Sequence, residues 1–135
     1  MKKYSAILIL TIIFLSACED PNALPSGKLT GGIWMCNSQL SESYQANNIT
    51  VNVSLKFTGD KGNGNVEVYE GNGLSKSCVC NGSYSLGSDR KSLEISGLYN
   101  DNCLWMNKLN GNYVYSKDDR MLCFNNGSIK IATLK

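Results

Sequence analysis

The chain has 135 residues, with 13 Lys and Arg, 11 Asp and Glu, six Cys and no His. Without His it cannot assemble a Ser-His-Asp or Cys-His catalytic site, and no basic stretch points to nucleic-acid binding. A chain of this length has room for one small domain. We therefore expect a protein that is not an enzyme and that needs no cofactor.

The N-terminus has the order of a secretory signal peptide. Lys2 and Lys3 precede an apolar run over residues 6–15, and small residues follow it. This run is about half of the ~20 residues that a membrane-spanning helix needs. The sequence therefore predicts export rather than a transmembrane helix.

The signal ends in Leu15-Ser16-Ala17-Cys18, which resembles the lipobox of bacterial lipoproteins. The resemblance implies cleavage of signal peptide 1–17 and acylation of Cys18, with palmitate or a similar chain. The alternative is an ordinary secretory signal, which Leu15 disfavours because that position usually holds a small residue. Two or more acyl chains anchor a protein stably. The bilayer is then a partner through Cys18. An Asp directly after the lipidated Cys would resemble the inner-membrane retention signal of enteric bacteria, and because Glu19 is a poor match to that signal, we expect the outer membrane, facing the periplasm.

Removal of residues 1–17 takes away two lysines, so 11 basic and 11 acidic side chains remain. Residues 18–32 contain both prolines of the chain and show no apolar periodicity. We interpret them as the lipidated Cys and a flexible tether, with a reach of at most ~50 Å. The folded domain is expected over residues 33–135.

The pattern of the domain is that of an all-β meander. Over residues 49–58, apolar and polar residues alternate strictly, which predicts a half-buried strand. Further strands are predicted at intervals up to residues 128–134, including a short one over 103–107, and Asn125-Asn126-Gly127 is a strong hairpin signal. About eight or nine antiparallel strands would leave two exposed edges, so we expect the first, at residues 32–36, to close a barrel against the last.

Gly32-Ile33-Trp34 opens the first predicted strand. This tripeptide is similar to the Gly-x-Trp of the lipocalins and related calycin barrels. The resemblance implies a small lipocalin-like barrel in which Gly32 and Trp34 mark the closed end. In that family an Arg often lies across the Trp, and Arg120 is the expected counterpart.

Five cysteines remain besides Cys18, and an oxidising compartment favours disulfides. They are Cys36, Cys78, Cys80, Cys103 and Cys123. If the turn at residues 87–90 pairs Leu86 with Leu93, the register places Cys78 and Cys80 beside the segment that leads to Cys103. We predict a bridge from Cys78 or Cys80 to Cys103, and a second one between Cys36 and Cys123. A metal site at Cys78-Val79-Cys80 is disfavoured because no His is available, so no metal is expected.

Two functions compete. The first is a lipocalin-like module that holds an apolar or amphipathic ligand inside the barrel, with Gly82 and Gly97 leaving gaps. Its predicted lining is Ile49, Val51, Val53, Leu55, Phe57 and Tyr84.

The second function is binding of an envelope protein, either as an inhibitor of a cell-wall hydrolase such as lysozyme or as an assembly factor. Membrane-anchored lysozyme inhibitors are small barrels with a lipobox, but their inhibitory loop has no clear match here, and Asn81-Gly82-Ser83-Tyr84 resembles it only faintly. A purely structural envelope protein is the third alternative.

Overall fold

The structure is a computed structural model, and it describes residues 19–36, 53–60, 62–70, 79–101 and 104–134. Across these ranges the chain forms eight strands and one 3-10 helix, at Leu104–Leu109. The strands are β1 (Ile33–Cys36), β2 (Val53–Thr58), β3 (Asn63–Glu70), β4 (Val79–Leu86), β5 (Ser92–Ser96), β6 (Gly111–Lys117), β7 (Met121–Asn125) and β8 (Lys130–Leu134).

The eight strands form a closed antiparallel barrel in sequence order. Strand β1 pairs with β2 on one side and with β8 on the other, through Met35↔Ala132 and Cys36↔Ile131. The predicted small closed meander is therefore confirmed. Closure pairs both edge strands, which removes the aggregation-prone edges of an open sheet.

Alternation in sequence decides which side chains enter the barrel. Trp34 lies opposite Leu55, Leu55 opposite Val68, and Val68 opposite Cys80, so one inward row crosses four strands. All four side chains are buried. The expected pairing of Leu86 with Leu93 is also present.

The segment predicted as a tether packs against one end of the barrel. We call residues 19–32 the strap. The end of the barrel that they cover is the strap end, which also includes residues 59–60 and 62 and the turns at 87–91 and 118–120. Ala23, Leu24 and Leu29 are buried, and the two leucines belong to the main core. The tether prediction is therefore wrong for this part of the chain, since these apolar side chains are removed from water by packing on the barrel.

At the opposite end, which we call the far end, the predicted strand over residues 103–107 does not form. The described part of that segment is the 3-10 helix instead. Strand β5 pairs directly with β6, through Ile95↔Gly111, so the intervening segment adds no strand between them. Asn110 holds this connection instead, because its side chain bonds both the N–H and the C=O of Leu98, at 3.0 and 2.9 Å.

Candidate functional site: the barrel wall and its two recesses

The barrel interior is filled with aromatic and aliphatic side chains. The ring of Trp34 lies 6.1 Å from Phe57, edge to face, and Phe57 lies 5.1 Å from Tyr84 in the same way. On the other side, Phe124 is 5.6 Å from Trp34 and 5.5 Å from Tyr115. Rings at these separations touch. A continuous chain of aromatic contacts therefore crosses the interior.

The predicted ligand-lining residues belong to this packed core. Val53, Leu55, Phe57 and Tyr84 are all buried and join the main hydrophobic cluster. Ile49 and Val51 lie outside the described residues. These four side chains therefore contact other core side chains.

The gap expected at Gly82 is occupied. A Cβ added at Gly82 would lie 2.6 Å from the Ser96 carbonyl oxygen and 2.8 Å from Leu98 Cδ2. Leu98 thus fills the space that the missing side chain leaves. Gly97 serves a different purpose, since its φ of +72° suits the left-handed turn after β5.

Side chains close both ends of the barrel. At the strap end, Trp34 is fully buried, and its indole N–H donates to the Leu29 carbonyl at 2.9 Å. Arg120, the expected partner of Trp34, is exposed. At the far end, Leu98, Leu109 and Ile129 are buried in the same core. Trp34 and neighbouring Gly32 therefore do lie at a closed end, but a strap carbonyl takes the place expected for the arginine.

The cysteines differ from the predicted bridges. Cys36, Cys80 and Cys123 are free thiols. Cys36 faces the interior on β1, whereas Cys123 faces outward on β7, and β8 separates the two strands. Strands two places apart are ~9.5 Å from each other, too far for a disulfide. The predicted Cys36–Cys123 bridge is therefore wrong.

The free Cys80 thiol also rules out its pairing with Cys103 in this structure. Cys78 and Cys103 lie outside the described residues, so a bridge between them stays a prediction. The neighbouring chain follows the expected register, because Asn100 Nδ2 donates to the Val79 carbonyl at 2.9 Å. The start of β4 thus lies beside the segment that leads to Cys103.

A groove of about 510 Å³ runs along the outside of the barrel over β7, β8 and β1. We call it the wall groove. Its lining consists of Ile33, Met35, Cys36, Met121, Lys130, Ala132, Thr133 and Leu134. Three of its apolar side chains are substantially exposed: Leu134 at 77%, Ile33 at 47% and Met35 at 41%.

Register explains why this wall is apolar. Met35, Ala132 and Cys123 form one outward row across three strands, and Met121 lies opposite Leu134 in the next. The sequence carries a signal for it, since residues 33–36 and 121–124 are apolar at every position rather than at alternate ones. A strand that is apolar on both faces is typically covered on both. This outer surface was not among the predicted sites.

One edge of the wall groove carries charge. Lys130 lies beside the Cys123 thiol, and its Nζ is 3.4 Å from Asp118 Oδ2. The Cys123 sulfur and then Asp118 raise the pKa of Lys130, so it stays a cation. The groove therefore combines an apolar floor with an ion pair at one edge.

A second recess, of about 480 Å³, lies at the strap end between the strap and the turns. It is mixed in character, with Leu24, Leu29 and Tyr84 beside Asp60 and Arg90. Burial, and then the charge of Asp60, raise the pKa of Tyr84. The tyrosine therefore remains a neutral hydroxyl at neutral pH.

The segment similar to an inhibitory loop does not form a loop. Asn81-Gly82-Ser83-Tyr84 lies inside β4, paired with β3 along its whole length. Gly82 and Tyr84 point into the barrel, which leaves only Asn81 and Ser83 exposed. This segment cannot enter the cleft of a hydrolase as a protruding loop.

The described residues contain no group of three or more Cys, Asp or Glu side chains that could hold a metal ion. Within the same ranges, no helix has the length and apolar character needed to cross a bilayer. No protein-family model matches the chain, and no curated protein or solved structure matches it either.

Proposed function

We propose that the protein is a lipid-anchored protein of the bacterial envelope that binds another protein through the wall groove. The observation that carries this proposal is the place of the exposed apolar surface. The interior is packed and both ends are closed, whereas Ile33, Met35 and Leu134 are exposed on the outer wall. A concave apolar surface that the described residues leave exposed is typical of an interaction site.

The size of this surface indicates how tight such a contact can be. Burying one aliphatic side chain completely contributes about 1.5–3 kcal/mol. The three exposed groove residues are on average about half-buried already, so covering them adds roughly 3 kcal/mol in total. By itself this corresponds to a weak, reversible contact. Polar contacts at Lys130, or a high local concentration of the partner, must supply the rest.

The anchor is proposed from Leu15-Ser16-Ala17-Cys18. Intact-mass analysis of the mature protein should give a chain that begins at Cys18 and carries acyl groups. Cys18→Ser should leave an uncleaved precursor or a form that partitions out of detergent. A free thiol at Cys18 in the mature wild type would refute lipidation.

Binding inside the barrel is the competing function, and a fluorescent fatty acid tests it. If the interior is packed, Val53→Trp should lower the free energy of unfolding by ~1–3 kcal/mol through overpacking. The wild type should then show no saturable uptake of the fluorescent fatty acid. Saturable uptake lost in a stably folded Val53→Trp protein would restore the ligand-carrier function.

Photo-crosslinking in living cells tests the wall groove directly. A photoreactive amino acid at Met35 or Leu134 should give a discrete adduct, whereas one at Val114 should not. Val114 is the matched control, because it is apolar and 63% exposed but lies on β6, away from the groove. The purified partner should then bind Leu134→Glu at least tenfold more weakly than Val114→Glu. Equal adducts from all three positions, or equal binding of both variants, would contradict the proposal.

A further inference from the structure

The strap is fastened to the barrel from its first described residue. Glu19 pairs with Arg90 at 3.0 Å, and Asp20 pairs with Lys91 at 2.7 Å. Both partners lie in the turn between β4 and β5. The backbone N–H of Leu24 then donates to the Arg90 carbonyl at 3.0 Å. Three successive contacts thus join the strap to one turn at the strap end.

These contacts differ in strength. The two ion pairs are partly exposed, and such pairs contribute at most about 1 kcal/mol each. Leu24 and Leu29 are buried in the core, and a buried Leu contributes about 1.5–3 kcal/mol. The ion pairs can therefore open transiently, whereas the strap from Leu24 onward stays on the barrel.

We infer that the strap end faces the membrane and that the barrel lies directly on the membrane surface, without a flexible tether between them. This inference rests on the proposed lipidation of Cys18, the residue directly before Glu19. Consecutive Cα atoms are 3.8 Å apart, so the lipid emerges beside the Arg90 turn while the ion pairs hold. Even with both pairs open, the six residue steps from Cys18 to Leu24 reach at most about 20 Å. A free tether to residue 32 would reach ~50 Å.

The charges at this end indicate what holds it there. Exposed side chains of both charges lie at the strap end. The positive ones include Lys28 and Arg120, and the negative ones include Asp60, Asp89 and Asp119. Such a mixed surface has little attraction for anionic lipids, which recruit clusters of basic residues. The acyl chains alone therefore set the distance from the bilayer, and its lipid charge has little influence.

This orientation narrows the class of partner. The strands extend between the strap end and the far end, and the wall groove lies on the side of the barrel. It therefore opens parallel to the membrane surface. A second protein held at the same membrane can reach it there. Confinement to one surface raises the effective concentration, which can turn a weak contact into a stable one. The partner is therefore a membrane-bound or membrane-anchored protein.

Contact quenching in vesicles tests the orientation. Small fluorophores are placed, as noncanonical amino acids, at Ser88 in the strap-end turn or at Ser128 in the far-end turn, both exposed. The mature lipidated protein is reconstituted in phosphatidylcholine vesicles that carry a headgroup quencher. Strands of four to eight residues separate the two ends by roughly 13–25 Å, and contact quenching does not reach that far. We expect at least threefold stronger quenching at Ser88 than at Ser128.

A lengthened strap is the matched control. Twelve Gly and Ser residues inserted between Glu19 and Asp20 preserve the cleavage site and the folded barrel but restore a leash. The difference between the two fluorophores should then disappear. Equal quenching in the wild type, or a difference that the insertion leaves unchanged, would overturn the inference.

The same experiment separates this inference from the proposed function. A wild-type protein that does not float with the vesicles lacks its anchor, which refutes lipidation itself. A protein that floats but shows equal quenching is anchored without a fixed orientation. This result refutes only the inference that the strap end faces the membrane. Replacing phosphatidylcholine by anionic lipid should change neither result, and a strong dependence on lipid charge would contradict attachment by the acyl chains alone.

Discussion

At the scale of single residues, Gly82 shows how one missing side chain sets the packing. Its neighbour across the barrel end, Leu98, occupies the space where a Cβ would lie. Gly82→Ala should therefore lower the free energy of unfolding by ~1–3 kcal/mol, because the Ser96 carbonyl belongs to the backbone and cannot move aside. Chemical denaturation measures this value.

Gly32→Ala is the control for this substitution. A Cβ at Gly32 meets only Thr133 Oγ1, at an ordinary 3.7 Å. Its free energy of unfolding should stay within about 0.5 kcal/mol of the wild type. Equal losses at Gly32 and Gly82 would contradict close packing of Leu98 against β4.

The Cys36 thiol is expected to make the free energy of unfolding depend on pH in the alkaline range. Burial raises the pKa of its thiol from 9.0 to about 12. Above pH 9 the unfolded chain loses this proton while the folded protein keeps it, so stability falls as pH rises towards 12. The slope from this group is at most about 1.4 kcal/mol per pH unit. Denaturation between pH 8 and pH 11 should show the decline.

Cys36→Ala removes this contribution and should flatten the pH dependence, whatever its effect on stability at pH 7. The slope should not vanish, because burial and then Cys36 also raise the pKa of Tyr113 above its usual range. An unchanged slope in Cys36→Ala would mean that the thiol is not shielded in the folded state.

At the scale of elements, the strap behaves as part of the core. Leu29→Ala should cost about 2–4 kcal/mol of unfolding free energy, since it removes a buried side chain and leaves a cavity next to Trp34. Lys28→Ala, one residue away and exposed, should be neutral. Thermal melts compare the two. Similar small effects would indicate that residues 19–32 are a tether after all.

At the scale of the whole molecule, the barrel is weakest where it closes. The described register joins β1 to β8 only at Met35↔Ala132 and Cys36↔Ile131, whereas seven residue pairs join β3 to β4. Local opening begins where the fewest hydrogen bonds must break. Amide hydrogen exchange should therefore be faster in β1 and β8 than in β3 and β4. Slower exchange at the β1–β8 seam would contradict this view of the fold.

Much of the fold was predictable because the alternation of inward and outward side chains along a strand is a local property. The alternation around Val53, Leu55 and Phe57 fixes which face is buried, and turn residues such as Asn126-Gly127 mark where the chain reverses. The Leu86↔Leu93 pairing follows from one short turn in the same way. Closure was predictable too, because a meander of this many strands would otherwise expose two edges.

The candidate site was harder to predict because it depends on distant parts of the chain. Leu24 and Leu29 have no periodicity, and only the barrel end gives them a surface to pack against. The filling of the Gly82 gap by Leu98 and the separation of Cys36 from Cys123 by β8 arise only when the barrel closes. The wall groove likewise brings together strands from both ends of the sequence.

The sequence by itself determined the strands, their faces and the closed meander, whereas the tertiary structure alone decided that the interior is full, the strap is bound and the open apolar surface lies outside. The physical reason is that parity and turns are set by neighbouring residues, while burial depends on which remote surfaces meet.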